Sequence, residues 1–151
     1  MLQRIQTLFL LLAAAAMLVA SVTPLAVFIY NSDEVLFEAM GIYLNGTLND
    51  VTWGLFVIGM IGTVVALITV FLYKKRMLQI RLSIFNIVIM VGFYLYFGFI
   101  LYKIYPVEHL QFQKVGIGAI MPVIAIILTA LAIRNIGADE ALVRSLQRLR
   151  R

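Results

Sequence analysis

Four apolar runs, each about as long as a bilayer is thick, constrain the fold of this chain most strongly. A hydrocarbon core of about 30 Å needs about 20 residues of helix to cross it. The runs cover residues 5–30, 51–73, 82–102 and 115–133, and none contains Asp, Glu, Lys, Arg or His. Because 64% of the chain is apolar and only 13% is charged, polar groups could not cover its surface in water. The sequence predicts an all-α integral membrane protein with four transmembrane helices in one bundle, a single domain over residues 1–151.

Two other interpretations of these runs fit less well. Strands of a membrane barrel are shorter and alternate apolar with polar residues, whereas residues 8–16 are apolar throughout. Arg4, the following apolar stretch and the small residues Ala20 and Ser21 resemble a secretory signal peptide. A signal core is typically about 7–15 residues long, and this run is much longer. It therefore predicts the first membrane helix.

The distribution of Lys and Arg predicts the orientation in the membrane. With four spans, both chain ends share one side with the inner loop 74–81, and the outer loops 31–50 and 103–114 lie on the other. Short cytoplasmic connections are enriched in Lys and Arg. Ten of the 12 Lys and Arg residues fall on the first side, and only Lys103 and Lys114 on the second. Both termini, including the tail 134–151, are therefore expected in the cytoplasm.

The tail has an amphipathic pattern. Asp139 can cap a final cytoplasmic helix, whose apolar face holds Leu142, Val143, Leu146 and Leu149. Basic residues lie on the opposite face, an arrangement that suits an anionic inner leaflet. A nucleic-acid partner is not expected, because it would leave the apolar face uncovered. The residues predicted to bind anionic lipid or a partner protein are Lys74, Lys75, Arg76, Arg81, Arg144, Arg148 and Arg151.

The outer connections carry a turn signal but no ligand set. Residues 31–50 are too apolar for a free linker, and Asn45-Gly46 is a two-residue hairpin signal, so the sequence allows a small outer β-hairpin. Asn45-Gly46-Thr47 also matches a glycosylation acceptor, and the turn is the favoured interpretation. In the second outer connection, His109 lies beside Glu108. One His and one carboxylate do not make a metal site, and no cofactor is expected.

Small residues at helical spacing predict where the helices pack. Helix association in lipid depends on close contact, which small residues permit. Pro24 and Pro122 each remove a backbone hydrogen bond, which predicts kinks near the outer helix ends. The predicted packing residues are Ala13, Ala16, Ala20, Gly59, Gly62 and Ala66.

A polar stripe marks the inner part of the third run. Gln79, Ser83 and Asn86 are spaced four and three apart and so share one helix face. Asn86 should lie about one turn into the hydrocarbon and needs a partner from another helix. Solvation by headgroups is an equally open interpretation for Arg134. The predicted inner polar cluster consists of Gln3, Arg4, Gln6, Gln79, Ser83, Asn86, Arg134 and Asn135.

Three segments together resemble a known family. They are residues 1–13 (MLQRIQTLFLLLA), 73–82 (YKKRMLQIRL) and 139–150 (DEALVRSLQRLR). The chain resembles, over essentially its whole length, an uncharacterised family of small four-helix inner-membrane proteins from Bacteroidota. The resemblance implies a bacterial inner-membrane location. It implies no activity, because that family carries only a domain-of-unknown-function label.

The motifs that the sequence contains and lacks distinguish between an enzyme, a transporter and an accessory protein. The sequence has no phosphate-cradling loop, no zinc-binding pair of histidines on a helix and no nucleophile elbow, so no enzymatic activity is expected. Spans without ionisable residues argue against ion-coupled transport. The favoured function is an accessory, assembly or scaffold component that binds other membrane proteins at the cytoplasmic face. The alternative is a homo-oligomeric channel or transporter for a small neutral or lipid-like solute.

Overall fold

The computed structural model describes residues 2–45, 47–104 and 108–150, without the side chains of residues 2, 3, 49 and 50. This part of the chain is mostly helical, and its four helices are long and apolar enough to cross a membrane. The elements are α1 (Leu2–Val22), β1 (Ala26–Tyr30), β2 (Asp33–Phe37), β3 (Gly41–Leu44), β4 (Thr47–Val51), α2 (Trp53–Phe71), α3 (Arg76–Ile104), β5 (Leu110–Val115) and α4 (Ile117–Leu149).

The four helices form an up-and-down bundle. Helix α1 packs against α2 and α4, and α3 packs against the same two helices, which places α1 and α3 at opposite corners. The start of α1, the α2–α3 turn and the later part of α4 therefore lie at one end, which we call the basic end. The strands lie at the other, the sheet end. The six small residues predicted to pack, Ala13, Ala16, Ala20, Gly59, Gly62 and Ala66, are all buried.

A five-stranded antiparallel sheet, in the order β4-β3-β2-β1-β5, covers the sheet end. The prediction of one helix over residues 5–30 is wrong after Val22, and Pro24 follows α1 instead of kinking it. Residues 26–30 are β-branched or aromatic apart from Ala26, and such residues favour strands. Asn31 and Ser32, with φ of 49° and 74°, join β1 to β2. Positive φ at both positions is what a type I′ hairpin turn requires.

The predicted hairpin around Asn45 is confirmed, but within a larger sheet. Leu44 pairs with Thr47 across the turn, and Asn45 has φ of 51°, while Gly46 lies outside the described residues. The second outer connection, predicted as a loop, contributes β5. That strand pairs with β1, and the rings of Phe28 and Phe112 lie 5.6 Å apart, edge to face.

The sheet is attached to α2 and α3 by an apolar core. Phe37 of β2 is fully buried, and its ring lies 5.2 Å from that of Phe97 in α3. Leu25, Leu55 and Phe93 belong to the same cluster. Phe93 and Phe97 of α3 thus pack against the sheet.

Helices α3 and α4 extend beyond the predicted spans. Helix α3 begins at Arg76, so the predicted inner loop 74–81 is reduced to a short turn. Helix α4 continues for 33 residues, about 50 Å. The prediction of a separate amphipathic helix capped by Asp139 is therefore wrong. Ile136 is fully buried, which shows that α4 still packs on the bundle after its apolar run ends at Ile133.

Tyr94 joins α3 to α4 beside Pro122. Its hydroxyl donates a hydrogen bond to the carbonyl oxygen of Ala119 at 2.5 Å and accepts one from the N–H of Val123 at 3.0 Å. Proline has no N–H and disturbs the hydrogen bonds of the preceding turn. The phenol therefore provides partners for backbone groups of α4 where the helix is weakest.

Gly116 and Gly118 allow α4 to begin against the end of α1. The N–H of Gly116 donates to Leu25 O at 2.9 Å, and that of Gly118 donates to Pro24 O at 3.1 Å. A Cβ at Gly116 would overlap the carbonyl oxygen of Pro24, whereas one at Gly92 in α3 would meet nothing within 4 Å.

We therefore expect Gly116→Ala to lower the free energy of unfolding by about 1–3 kcal/mol, the usual cost of overpacking. Gly92→Ala is the matched control and should leave stability unchanged or raise it by up to about 1 kcal/mol through helix propensity. Unfolding in detergent, followed by circular dichroism, measures both. A loss at Gly116 no larger than that at Gly92 would contradict the packing described.

Candidate functional site at the basic end

The polar residues predicted to cluster at the basic end fall into two groups. Gln6, Gln79, Ser83 and Asn86 are all buried between helices. Arg4 and Arg134 are exposed, and Asn135 is half-buried. The long guanidinium side chains reach the surface of the bundle, where their charge keeps its solvation. The side chain of Gln3 lies outside the described residues.

Most buried hydroxyls of the bundle bond to their own helix. Thr63 donates to Gly59 O at 2.9 Å, and Ser83 donates to Gln79 O at 2.8 Å. One bond of the stripe crosses between helices, from Gln79 Nε2 to Thr69 O at 3.1 Å. The Gln79 bond therefore joins α3 to α2, whereas the Thr63 and Ser83 hydroxyls donate within their own helices.

Asn86 does not make the expected bond at its carbonyl oxygen. Its side chain lies against Gly62 of α2, where a Cβ would be 3.5 Å from Oδ1. Within the described part of the chain, neither Asn86 Oδ1 nor Gln6 Nε2 has a hydrogen-bond partner. Gln79, Ser83 and Asn86 therefore face the interior as predicted. At Asn86 Oδ1, however, the structure shows close packing against Gly62 and no hydrogen bond.

An ion-pair cluster fixes the part of α4 that projects past the bundle, residues 137–149, which we call the α4 extension. Arg76 at the start of α3 lies 3.4 Å from Asp139 and 3.9 Å from Glu140. Glu140 also pairs with Arg144 at 3.2 Å. Asp139, expected to cap a helix, instead joins α4 to α3. Its role depends on Arg76, which is distant in sequence, so no local pattern could have indicated it.

The predicted basic surface is divided by this cluster. Arg76 is held by its acidic partners, whereas Lys74, Lys75, Arg81, Arg144 and Arg148 are exposed, and Arg151 lies outside the described residues. A cleft of about 530 Å³ separates the α2–α3 turn from the α4 extension, with residues 73–77 on one side and Glu140, Val143 and Gln147 on the other. Of these exposed cations, Lys74 and Lys75 line the cleft, whereas Arg81, Arg144 and Arg148 do not.

The α4 extension also exposes an apolar stripe. Leu142, Leu146 and Leu149 are 56%, 63% and 84% exposed, and their spacing of four and three places them on one helix face. Val143, predicted on the same face, instead turns toward the cleft. We call the three leucines the leucine face.

The described residues contain no group of three or more His, Asp or Glu side chains that could hold a metal ion. His109 is exposed in the turn before β5, with φ of 68°. The chemistry available at the basic end therefore consists of exposed cations, a cleft and an apolar helix face. Such groups bind anions or apolar surfaces.

The model of the family described as "Domain of unknown function (DUF4293)" matches residues 2–149. The chain belongs to this family. The DUF4293 match covers the bundle, the sheet and the α4 extension together, so these parts form one family unit. No curated protein and no solved structure gives a significant match to the chain.

In this DUF4293 protein, the ion pairs of Arg76 should hold the α4 extension more than they stabilise the whole fold. We expect Arg76→Gln to change the free energy of unfolding by less than about 1 kcal/mol, since partly exposed ion pairs contribute little. Amide hydrogen exchange in residues 139–149 should become about two- to five-fold faster, because the extension opens locally.

Lys75→Gln provides the control, since it removes a neighbouring exposed cation that has no ion pair among the described residues. Exchange measured by mass spectrometry compares the two variants. Equal exchange in the extension of both variants would show that Arg76 does not anchor it.

Proposed function

We propose that this protein is a multi-pass inner-membrane protein of bacterial, Bacteroidota-type origin, without catalytic apparatus. It serves as an accessory, assembly or scaffold component and binds another membrane protein at the cytoplasmic face. The proposal rests on the leucine face, which lies on the part of α4 that projects past the apolar part of the bundle.

The exposed surface of the helices supports membrane insertion. Only 22% of the most apolar stretch of α3 is buried within the protein, and side chains such as Val88 and Leu95 are 61% and 71% exposed. Monomeric soluble proteins rarely expose large continuous apolar patches. A surrounding of lipid acyl chains gives these side chains an apolar environment.

The charge bias supports the orientation. The basic end contains residues 74–76, Arg81 and the arginines of the α4 extension, and cytoplasmic connections are typically rich in such residues. The sheet would then face the opposite side. The family resemblance in the three basic-end segments favours a bacterial inner membrane.

The geometry of α4 favours a protein partner over the membrane surface for the leucine face. Leu142 and Leu149 lie eight and 15 residues beyond Arg134, which corresponds to about 12 and 22 Å of helix. A headgroup layer is only about 5–8 Å thick on each side. A helix that continues straight from its span therefore carries these leucines beyond the lipid, where a partner's apolar surface can cover them.

The α4 extension also carries cations, on the side of the helix away from the leucine face. Arg144 and Arg148, with Arg150 just past the extension, line a shallow surface there, and the described acids of the extension, Asp139 and Glu140, are engaged with Arg76 and Arg144. A partner that covers the leucine face and reaches the arginine side of the helix with acidic residues would complement both features. Charge complementarity of this kind contributes mainly to specificity and association rate.

Mild-detergent purification of the full-length protein from its native membrane, followed by quantitative mass spectrometry, tests the proposal. We expect a stoichiometric membrane-protein partner with the wild-type chain. Leu142→Ser with Leu146→Ser should reduce its recovery at least about ten-fold, because apolar anchors dominate interface energies. Arg144→Ala with Arg148→Ala should also reduce it.

Ser145→Ala is the matched control, since it alters the same extension without removing a leucine of the leucine face or a cation. Recovery of the protein alone or as a homo-oligomer, combined with solute flux in reconstituted vesicles, would favour the channel alternative. Retention of a partner by the leucine variant would show that the leucine face is not the docking surface.

A further inference from the structure

A groove between α1 and the residues that follow α2 combines a cation with an apolar surface, the two features that a phospholipid site needs. It has a volume of about 320 Å³ and is lined by Arg4, Thr7, Leu8, Leu11 and Tyr73. Arg4, Leu8 and Leu11 are spaced four and three apart and so share one face of α1. Leu11 lies about 10 Å further along the helix than Arg4. The groove is therefore cationic at its mouth and apolar along its length.

The charge at this mouth is uncompensated. Arg4 is exposed and forms no ion pair with an acid among residues 2–45, 47–104 and 108–150. Lys74 Nζ lies 5.9 Å from the centre of the Tyr73 ring, so a second cation lies next to a residue that lines the groove. Arg76, by contrast, is already paired with Asp139 and Glu140. An anion therefore gains more at Arg4 than at Arg76.

The apolar part of the groove also lacks a cover within the chain. Leu8 and Leu11 are 53% and 44% exposed and lie in the apolar part of α1, residues 8–20. Tyr73, which is 47% exposed, lies at the level where tyrosines meet headgroups in the proposed membrane placement. Basic pockets between transmembrane helices at the cytoplasmic side commonly bind anionic headgroups.

We propose that this groove binds one anionic phospholipid of the inner leaflet. The Arg4 guanidinium and the Lys74 ammonium contact its phosphate, and one acyl chain lies along Leu8 and Leu11. This inference rests on the membrane placement proposed above, but not on a protein partner. A bound lipid would fix the start of α1 against the α2–α3 turn.

Native mass spectrometry of the full-length protein in phosphatidylcholine nanodiscs with increasing phosphatidylglycerol tests the site. We expect the wild-type chain to retain one phosphatidylglycerol after release from the disc. Arg4→Gln should weaken this binding about five-fold, the effect of removing one cation near an anionic lipid. Lys74→Gln should weaken it by a similar or smaller factor.

Arg134→Gln is the matched control, because it removes the same charge from an exposed position of α4 that does not line the groove. Its phosphatidylglycerol affinity should stay within about two-fold of the wild-type value. Equal losses for Arg4→Gln and Arg134→Gln would show a diffuse charge effect and overturn the site. If Arg4→Gln does not fold, Leu8→Ala with Leu11→Ala keeps the cation, and unchanged lipid retention by that variant would overturn the acyl-chain contact.

Two further measurements distinguish a lipid headgroup from a soluble anion, and failure of this inference from failure of the proposed membrane placement. Inorganic phosphate or glycerophosphate that displaces the lipid at equal concentration would identify a soluble-anion site and overturn the lipid assignment. A protein that does not enter nanodiscs would contradict the membrane placement itself. A protein that enters them and shows no preference for phosphatidylglycerol would overturn this inference and leave the proposed function standing.

Discussion

Hydrogen bonds that close within each helix are the condition on which the bundle depends. Hydrocarbon offers no water to an N–H or C=O group, so a spanning segment must satisfy its backbone internally. Hydroxyl side chains follow the same rule, as Thr69 donates to Val65 O and Thr129 to Ala125 O. Where Pro122 interrupts the pattern, Tyr94 supplies both a donor and an acceptor from α3. With these groups satisfied, small residues can bring the helices into close contact.

The four long apolar helices could be predicted from the sequence because length and apolarity alone identify them, whereas the end of α1 could not. Apolarity does not distinguish a buried strand from a buried helix, and Ala26–Tyr30 continues the first run without a polar break. Its strand conformation depends on pairing with Leu110–Val115, which is distant in the sequence. The local signals for this change were Pro24, which favours a helix end, and Asn31-Ser32, which favour a turn. The Asn45-Gly46 turn could be predicted because its signal is entirely local.

The basic end shows the same division between local and distant information. The small residues at helical spacing are buried, and Gln79, Ser83 and Asn86 face the interior, since a helix face follows from spacing alone. The continuation of α4 past Arg134 depends instead on the burial of Ile136 and on the ion pairs of Asp139 and Glu140 with Arg76. The position of Arg4 along α1 predicts a place in the inner polar cluster, but its long side chain lines a groove on the surface. The position of a residue along its helix follows from the sequence. The direction that a long side chain takes near the end of a helix depends on its neighbours and does not.

The continuous α4 is the claim on which the functional proposal rests, and site-directed spin labelling tests it most directly. The sequence contains no cysteine, so single cysteines from residue 133 to residue 149 can be labelled in bilayers and probed with oxygen and a water-soluble nickel complex. We expect nickel accessibility to rise beyond Arg134 with a helical period, and labels at 142, 146 and 149 to be accessible from water. High oxygen accessibility and membrane burial at those three positions would show the extension lying in the bilayer surface, and would contradict the account.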